Sequence, residues 1–269
     1  MRNITPVVKN LILINVVLFI AQWGAGMLYH NPDFLINLLG LHYWKSAYFK
    51  PLQLVTHMFM HGGLAHIFFN MFALWMFGPV LEQVWGGKRF FIYYMITGLG
   101  AASLHLLVNH FQIQAMVNEM NRFMAGNPTP AGFADLIQRQ FPAYYTQVYD
   151  KLITYWSADP SNPVYLERAR SFFNDLLTFR MDIPTVGASG AIFGVLLAFG
   201  MLFPNTQLML LFPPIPMKAK YFVILYGILE LYLGITQPGS QVAHFAHLGG
   251  MIFGFILIKI WKADRKTFY

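Results

Sequence analysis

Ser189 sits in VGASGAIFGVLLAFG (residues 186–200), a run that is apolar or small throughout apart from this one hydroxyl. A buried hydroxyl needs a partner, and the small neighbours Ala188 and Gly190 leave room for one to approach. Two other oily stretches carry imidazoles: HMFMHGGLAHIFFNMF from His57 and VAHFAHLGGMIFG from Val242. In the first, His66 and Asn70 are four residues apart and share one helical face. In the second, His244 and His247 are three apart. Serine becomes a nucleophile when an adjacent base takes its proton, and histidine does this near neutral pH. The oxyanion formed in acyl transfer then needs preorganised donors. The Asn70 amide, an imidazole N–H of His66 and the backbone N–H of Ser189 are candidates. His57 and His61 read as interfacial, and His244 as a satisfied structural histidine or cavity lining.

The elements that position these groups are membrane helices. Of 269 residues, 57% are hydrophobic and 11% charged, against about 25% charged in soluble domains. Six hydrophobic spans are expected near residues 10–28, 63–79, 90–108, 186–203, 219–236 and 243–261; the first is close to the roughly 20 residues a crossing requires, and the fifth is short, following the proline-marked connector FPPIPMKAK. Arg2 and Lys9 ahead of the first run imitate a signal peptide, but the further spans mark it as a retained helix. With the N-terminus inside, the inner segments hold Arg2, Lys9, Lys88, Arg89, Lys218, Lys220, Lys259, Lys262, Arg265 and Lys266. The outer ones hold Lys45 and Lys50, with none in TQPGSQ (236–241). The formal charge of +7 is therefore read as positive-inside bias rather than as a nucleic-acid surface.

This orientation puts both termini in the cytoplasm and runs spans two, four and six from outside to inside. Their polar residues lie in the opening turns, so they share a depth; five residues into a helix is on the order of 7 Å. Gly190, Gly194 and Ala198 form a small-residue stripe, as do Gly250 and Gly254, and such stripes allow close backbone approach in lipid. Spans four and six are expected to pack there, bringing Ser189 and His247 within hydrogen-bond reach. Residues 109–183 contain six basic and seven acidic residues, and a segment this long translocates regardless of charge. Within it, NPVYLERARSFFNDLLTFR places Leu166, Ala169, Phe173, Leu176 and Leu177 on one face, an amphipathic helix for the membrane surface or the bundle. The flanking GNPTP (126–130) and PSNP (160–163) punctuate the segment. The fold class is all-α: one six-transmembrane-helix membrane domain over 1–269, with an extra-cytoplasmic insertion at 109–183 between helices 3 and 4.

Competing chemistries are narrower. The chain has no cysteine, which removes thiol catalysis and zinc–thiolate sites. Histidines at i and i+4 have ligand-like spacing, but no HExxH occurs and no carboxylate accompanies them, Glu82 and Glu230 being assigned at or near inner ends of spans. No Asp falls within a span, which excludes an aspartyl intramembrane protease. The same absence favours a Ser–His dyad over a triad, with no metal and no cofactor.

GASG at 187–190, HMFMHGGLAHIFFN at 57–70 and AHLGGMIFG at 246–254, on spans four, two and six, together resemble the rhomboid family of intramembrane serine proteases over the six-helix core. The resemblance implies Ser189 as nucleophile, His247 as general base, and His66 with Asn70 around the oxyanion hole. It also implies that Phe193 is the aromatic residue supporting the base's ring. Two features depart from the family pattern: Leu52 and Gln53 stand where many members have a Trp-Arg pair, and the stretch between spans three and four is long. The implied activity is endoproteolysis of transmembrane segments near the outer membrane surface, in an inner or plasma membrane, with the active site opening outward. The implied partners are transmembrane protein substrates and the lipid bilayer, with no nucleic acid and no metal. The alternative is a catalytically inactive rhomboid-like protein that binds membrane clients.

Overall fold

Proline at the first helical position has no N–H to leave unpaired, and Pro6 opens α1 (Pro6–Leu28) in this way. The computed structural model describes residues 4–209, 214–237 and 242–263, with side chains to Trp261. Arg2, Arg265, Lys266 and most of TQPGSQ, which entered the charge count, lie outside the described residues. After α1 come short helical turns at Phe34–Leu39, Gln53–Thr56 and His57–Phe59, then α2 (Leu64–Trp85), α3 (Gly87–Ala125), α4 (Pro130–Gln140) and α5 (Pro163–Asp182). The chain continues through α6 (Ser189–Leu202), a small antiparallel hairpin of β1 (Gln207–Met209) and β2 (Pro216–Lys218), α7 (Ala219–Thr236) and α8 (His244–Ala263).

The protein is a helical, multi-span membrane protein: α1, α2, α3, α7 and α8 are each long and apolar enough to cross a bilayer. The stretch expected as span four differs. It is non-helical up to Ala188, and α6 has only 14 residues. At 1.5 Å per residue that is about 21 Å, short of a hydrocarbon core of about 30 Å. Ten of those residues are buried, so the other helices surround α6. Spans two and three are longer than their hydropathy suggested. Helix α2 ends only at Gly86, whose φ of +77° suits a residue without Cβ. Helix α3 runs on past 108 because the sequence stays helical while turning amphipathic, burying Ile113, Met116 and Met120.

Residues 4–44, 48–106 and 184–263 form one compact unit and 45–47 with 107–183 another, α3 passing from the first to the second after Leu106. The first unit centres on Leu74, Leu81, Phe90, Tyr93, Tyr94 and Val195. Its exposed apolar residues, such as Leu13, Val17, Ile20 and Trp23 along α1, suit a lipid environment. Glu82 is a buried cap: its carboxylate accepts from the N–H groups of Val7 (3.0 Å) and Val8 (2.9 Å), and from the Thr5 hydroxyl. It thereby satisfies donors that the start of α1 leaves without intrahelical partners.

The small-residue stripes do bring α6 against α8, since a Cβ on Gly250 would lie 1.8 Å from the Gly190 carbonyl oxygen. They also face α3, which the sequence reading left out. Cβ atoms on Gly190 and Gly194 would meet Ala101 at 2.3 Å and Thr97 at 2.6 Å, and one on Gly254 would meet the Tyr93 hydroxyl at 2.3 Å. The stripes serve a three-helix junction, pinned by the Tyr93 hydroxyl donating to the Gly194 carbonyl (2.8 Å).

The second unit has a core of its own, with Phe133, Ile137, Trp156 and Phe173 among its members. Its helix starts are capped where the sequence is punctuated: Thr129 accepts from Gly132 N–H (3.1 Å) and Asn162 from Val164 N–H (3.1 Å). The apolar face of α5 (Ala169, Phe173 and Leu176) is buried in this core, so the unit itself covers the face that the sequence assigned to the membrane surface or the bundle.

Candidate active site

Ser189 is the first residue of α6, where backbone N–H groups lack intrahelical partners. The chain reaching it is held by the first loop. Thr185 and Leu41 exchange backbone hydrogen bonds (2.8 and 2.9 Å), and Gly187 N–H donates to the His57 carbonyl (2.9 Å). Gly187 has φ +124°, a conformation that side chains disfavour. A Cβ there would also lie 2.7 Å from both Cε1 and Nε2 of His66. Glycine is needed at 187 for its backbone and for the ring beside it.

His247 lies one turn into α8, with Nε2 2.9 Å from the Ser189 hydroxyl. Its ring stacks on Phe193, with centroids 4.2 Å apart and planes 6° from parallel. Phe193 follows Ser189 by four residues, so nucleophile and ring support share one face of α6. The other nitrogen, Nδ1, is 2.9 Å from Glu230 Oε2. An ionised carboxylate only accepts, so Nδ1 donates to it. The Nε2 lone pair is then left to receive the Ser189 O–H.

Glu230 corrects the sequence reading, which assigned it at or near an inner end and left the histidines without a carboxylate. Helix α7 runs opposite to α6 and α8, and residue 230 lies six before its C-terminal end, about 9 Å along the axis. That places it level with the N-terminal turns of α6 and α8. The signal was available in the alternating direction of the spans. His244, read as structural or cavity lining, donates from Nδ1 to the same Glu230 oxygen (2.7 Å).

His66 accepts from Gly62 N–H at Nδ1 (3.3 Å), which leaves Nε2 as a protonated donor on the ring edge against Gly187. Asn70 is one turn deeper on the same face. It is buried, and its Nδ2 has no hydrogen-bond partner among the described residues. Both groups thus hold unused donors on the helix face that meets Gly187.

His57 and His61, read as interfacial, are buried within the protein, at 5% and 0% exposure. Burial holds the His57 imidazole down to about 4, while burial and the neighbouring His66 hold His61 down to about 3. His57 Nδ1 donates to the Gln53 carbonyl (2.8 Å). Gln53, at the position of the missing Trp-Arg pair, organises the loop. Its oxygen accepts from the N–H groups of His42 (3.3 Å) and Lys50 (3.1 Å), and its amide donates to the carbonyls of Leu38 (3.3 Å) and Tyr48 (2.9 Å). Beside Ser189, a cavity of about 20 Å³ bounded by His57, Met58, Ala101, Gly187 and Ala246 has room for about one water molecule.

Fold and site define a multi-span helical membrane protein in which half-buried Ser189 meets buried His247 and Glu230 where three helices converge. The chain belongs to the rhomboid family: the Rhomboid domain model matches residues 48–120 and 146–263. It is 28% identical to an uncharacterised mitochondrial rhomboid protein of Schizosaccharomyces pombe, over 90% of this chain and 57% of that protein. It is 23% identical to the mitochondrial Rhomboid protein 1 of Saccharomyces cerevisiae, over 96% of this chain and 56% of that one. A shorter match, 38% identical over 47 residues (18% of this chain and 9% of the relative), is to the rhomboid protease GluP of Bacillus subtilis. The chain spans a little over half the length of the fungal relatives it matches.

Proposed function

We propose that the protein is an intramembrane serine endopeptidase that cleaves transmembrane segments of other membrane proteins near the outer surface. Ser189 Oγ attacks the substrate peptide carbonyl as its proton passes to His247 Nε2. The oxyanion accepts hydrogen bonds from Asn70, from His66 Nε2–H and from backbone N–H at the start of α6. His247 then protonates the leaving amine and activates the water that hydrolyses the acyl-enzyme. No metal or cofactor takes part. In this reading the chain is one membrane domain over 1–269. The six expected spans place both termini in the cytoplasm, residues 109–183 are an extra-cytoplasmic insertion, and the site opens outward from an inner or plasma membrane.

The observation that carries the proposal is the 2.9 Å contact between His247 Nε2 and Ser189 Oγ, on a ring stacked against Phe193. The test is cleavage of a transmembrane substrate co-reconstituted in liposomes, choosing a segment with small, helix-destabilising residues near its outer end. Ser189→Ala and His247→Ala are each expected to lower the rate at least about a thousandfold. Undiminished cleavage by either folded variant contradicts the assignment.

A further inference from the structure

We infer that Glu230 is a positioning residue for the same reaction, making the working unit Ser189–His247–Glu230 with His244 as a second ligand of the carboxylate. The inference rests on the proteolytic reading above and extends it. Glu230 is 4% exposed within an apolar helix, and a buried carboxylate is costly unless it is well paired. Its Oε2 receives two N–H groups, from His247 (2.9 Å) and His244 (2.7 Å), whose rings are nearly perpendicular at 89°. This arrangement does two things. It keeps the proton of neutral His247 on Nδ1, so that Nε2 faces Ser189 as a base. It also places a negative charge beside the imidazolium that forms when Nε2 takes the serine proton. That proton stays on Nε2 until it goes to the leaving amine, the Nδ1 proton stays on Nδ1, and Glu230 remains ionised throughout.

The same three side chains could be read as a metal site, since their ligand atoms lie within 4.8 Å of one another. The spacing argues for protons. Tetrahedral ligands at about 2.0–2.1 Å from zinc are about 3.3 Å apart, whereas both nitrogens sit at hydrogen-bond distance from one carboxylate oxygen. The titratable groups around the pair are His244 and His247 on α8, Tyr226 one turn earlier on α7, and His66 on α2, which faces His247.

The test measures cleavage rate against pH for purified full-length protein in liposomes, with Glu230→Gln, Glu230→Asp and His244→Ala beside Ser189→Ala and His247→Ala. Glu230→Gln should cut the maximal rate by about a hundredfold or more. Its acid limb should move to lower pH by about one unit, because the imidazolium has lost its anionic partner. Glu230→Asp should recover at least about tenfold of that loss. His244→Ala should move the acid limb the other way, since the carboxylate then serves His247 alone, and this arm decides the matter if Glu230→Gln fails to fold. A Glu230→Gln profile that coincides with wild type while Ser189→Ala and His247→Ala are inactive overturns the inference and leaves the dyad standing. Loss of rate with an unmoved limb and no rescue by Asp reduces Glu230 to packing and also overturns it, as does a Glu230-dependent requirement for added zinc. Activity persisting in Ser189→Ala or His247→Ala instead brings down the underlying reading.

Discussion

Substituting Gly187 separates backbone strain from site geometry. Gly187→Ala places a methyl carbon in a backbone with φ +124°, a strain of about 1–3 kcal/mol. The same methyl carbon would stand 2.7 Å from Cε1 and Nε2 of His66 and 3.6 Å from the Ser189 hydroxyl. Ordinary contact begins near 3.4 Å, so the ring must retreat by about 0.7 Å, a misplacement on the scale that impairs catalysis. The ring has little freedom, because Gly62 N–H holds its Nδ1 (3.3 Å) and His61 lies edge-on at 5.1 Å. If His66 Nε2–H stabilises the oxyanion, losing it costs about 10²–10³ in kcat. Gly86→Ala is the control, with φ +77° and nothing within 4 Å of the new methyl. Both variants should lower the melting temperature in detergent to a similar degree, while only Gly187→Ala loses kcat in the liposome assay. Gly187→Ala cleaving within about threefold of wild type would remove His66 from the oxyanion site. An equal loss in Gly86→Ala would show that the deficit is one of stability.

Three other outcomes are expected. Asn70→Leu removes a buried donor with no partner among the described residues, so thermal unfolding should show unchanged or higher stability, by up to about 1 kcal/mol, and cleavage should fall by about tenfold or more; lower stability would mean that the amide is structurally paired. Phe193→Leu takes away the ring on which His247 stacks, and an interaction of about 1 kcal/mol translates to roughly fivefold in kcat, with Phe193→Tyr retaining the rate; equal rates for Leu and Tyr would dismiss the stack. His57 is held neutral down to about 4, below its ordinary value of about 6.5, so between those values the unfolded chain binds the extra proton. Its contribution is therefore complete above about pH 6.5 and is lost as pH falls toward 4, amounting to about 3 kcal/mol; denaturant unfolding from pH 7 to 4 should show a steeper decline for wild type than for His57→Gln, and parallel curves would contradict it.

The Ser189–His247 pair was legible because the polar residues open α2, α6 and α8, whose starts lie together, and small residues mark where helices touch. The sequence hid Glu230 because linear order does not say which face of α7 turns toward α8, although span direction already set its depth. Hydropathy could not place the start of α6, since Val186–Ala188 is as apolar in irregular chain as in helix. The burial of His57 and His61 depends on the first loop folding around Gln53, a set of side chain–backbone contacts with no periodicity to read. The second unit was legible as an amphipathic helix, whereas its core draws on residues from Met116 to Leu176, too dispersed to be seen in one window.

The measurement that bears most directly on the account is labelling of the purified protein with a fluorophosphonate, followed by mass spectrometry of the adduct. An activated serine should carry the phosphonyl group on Ser189 alone, with labelling abolished in Ser189→Ala and slowed at least about a hundredfold in His247→Ala. Labelling that is absent from the wild type, or that proceeds at the same rate without His247, would contradict it.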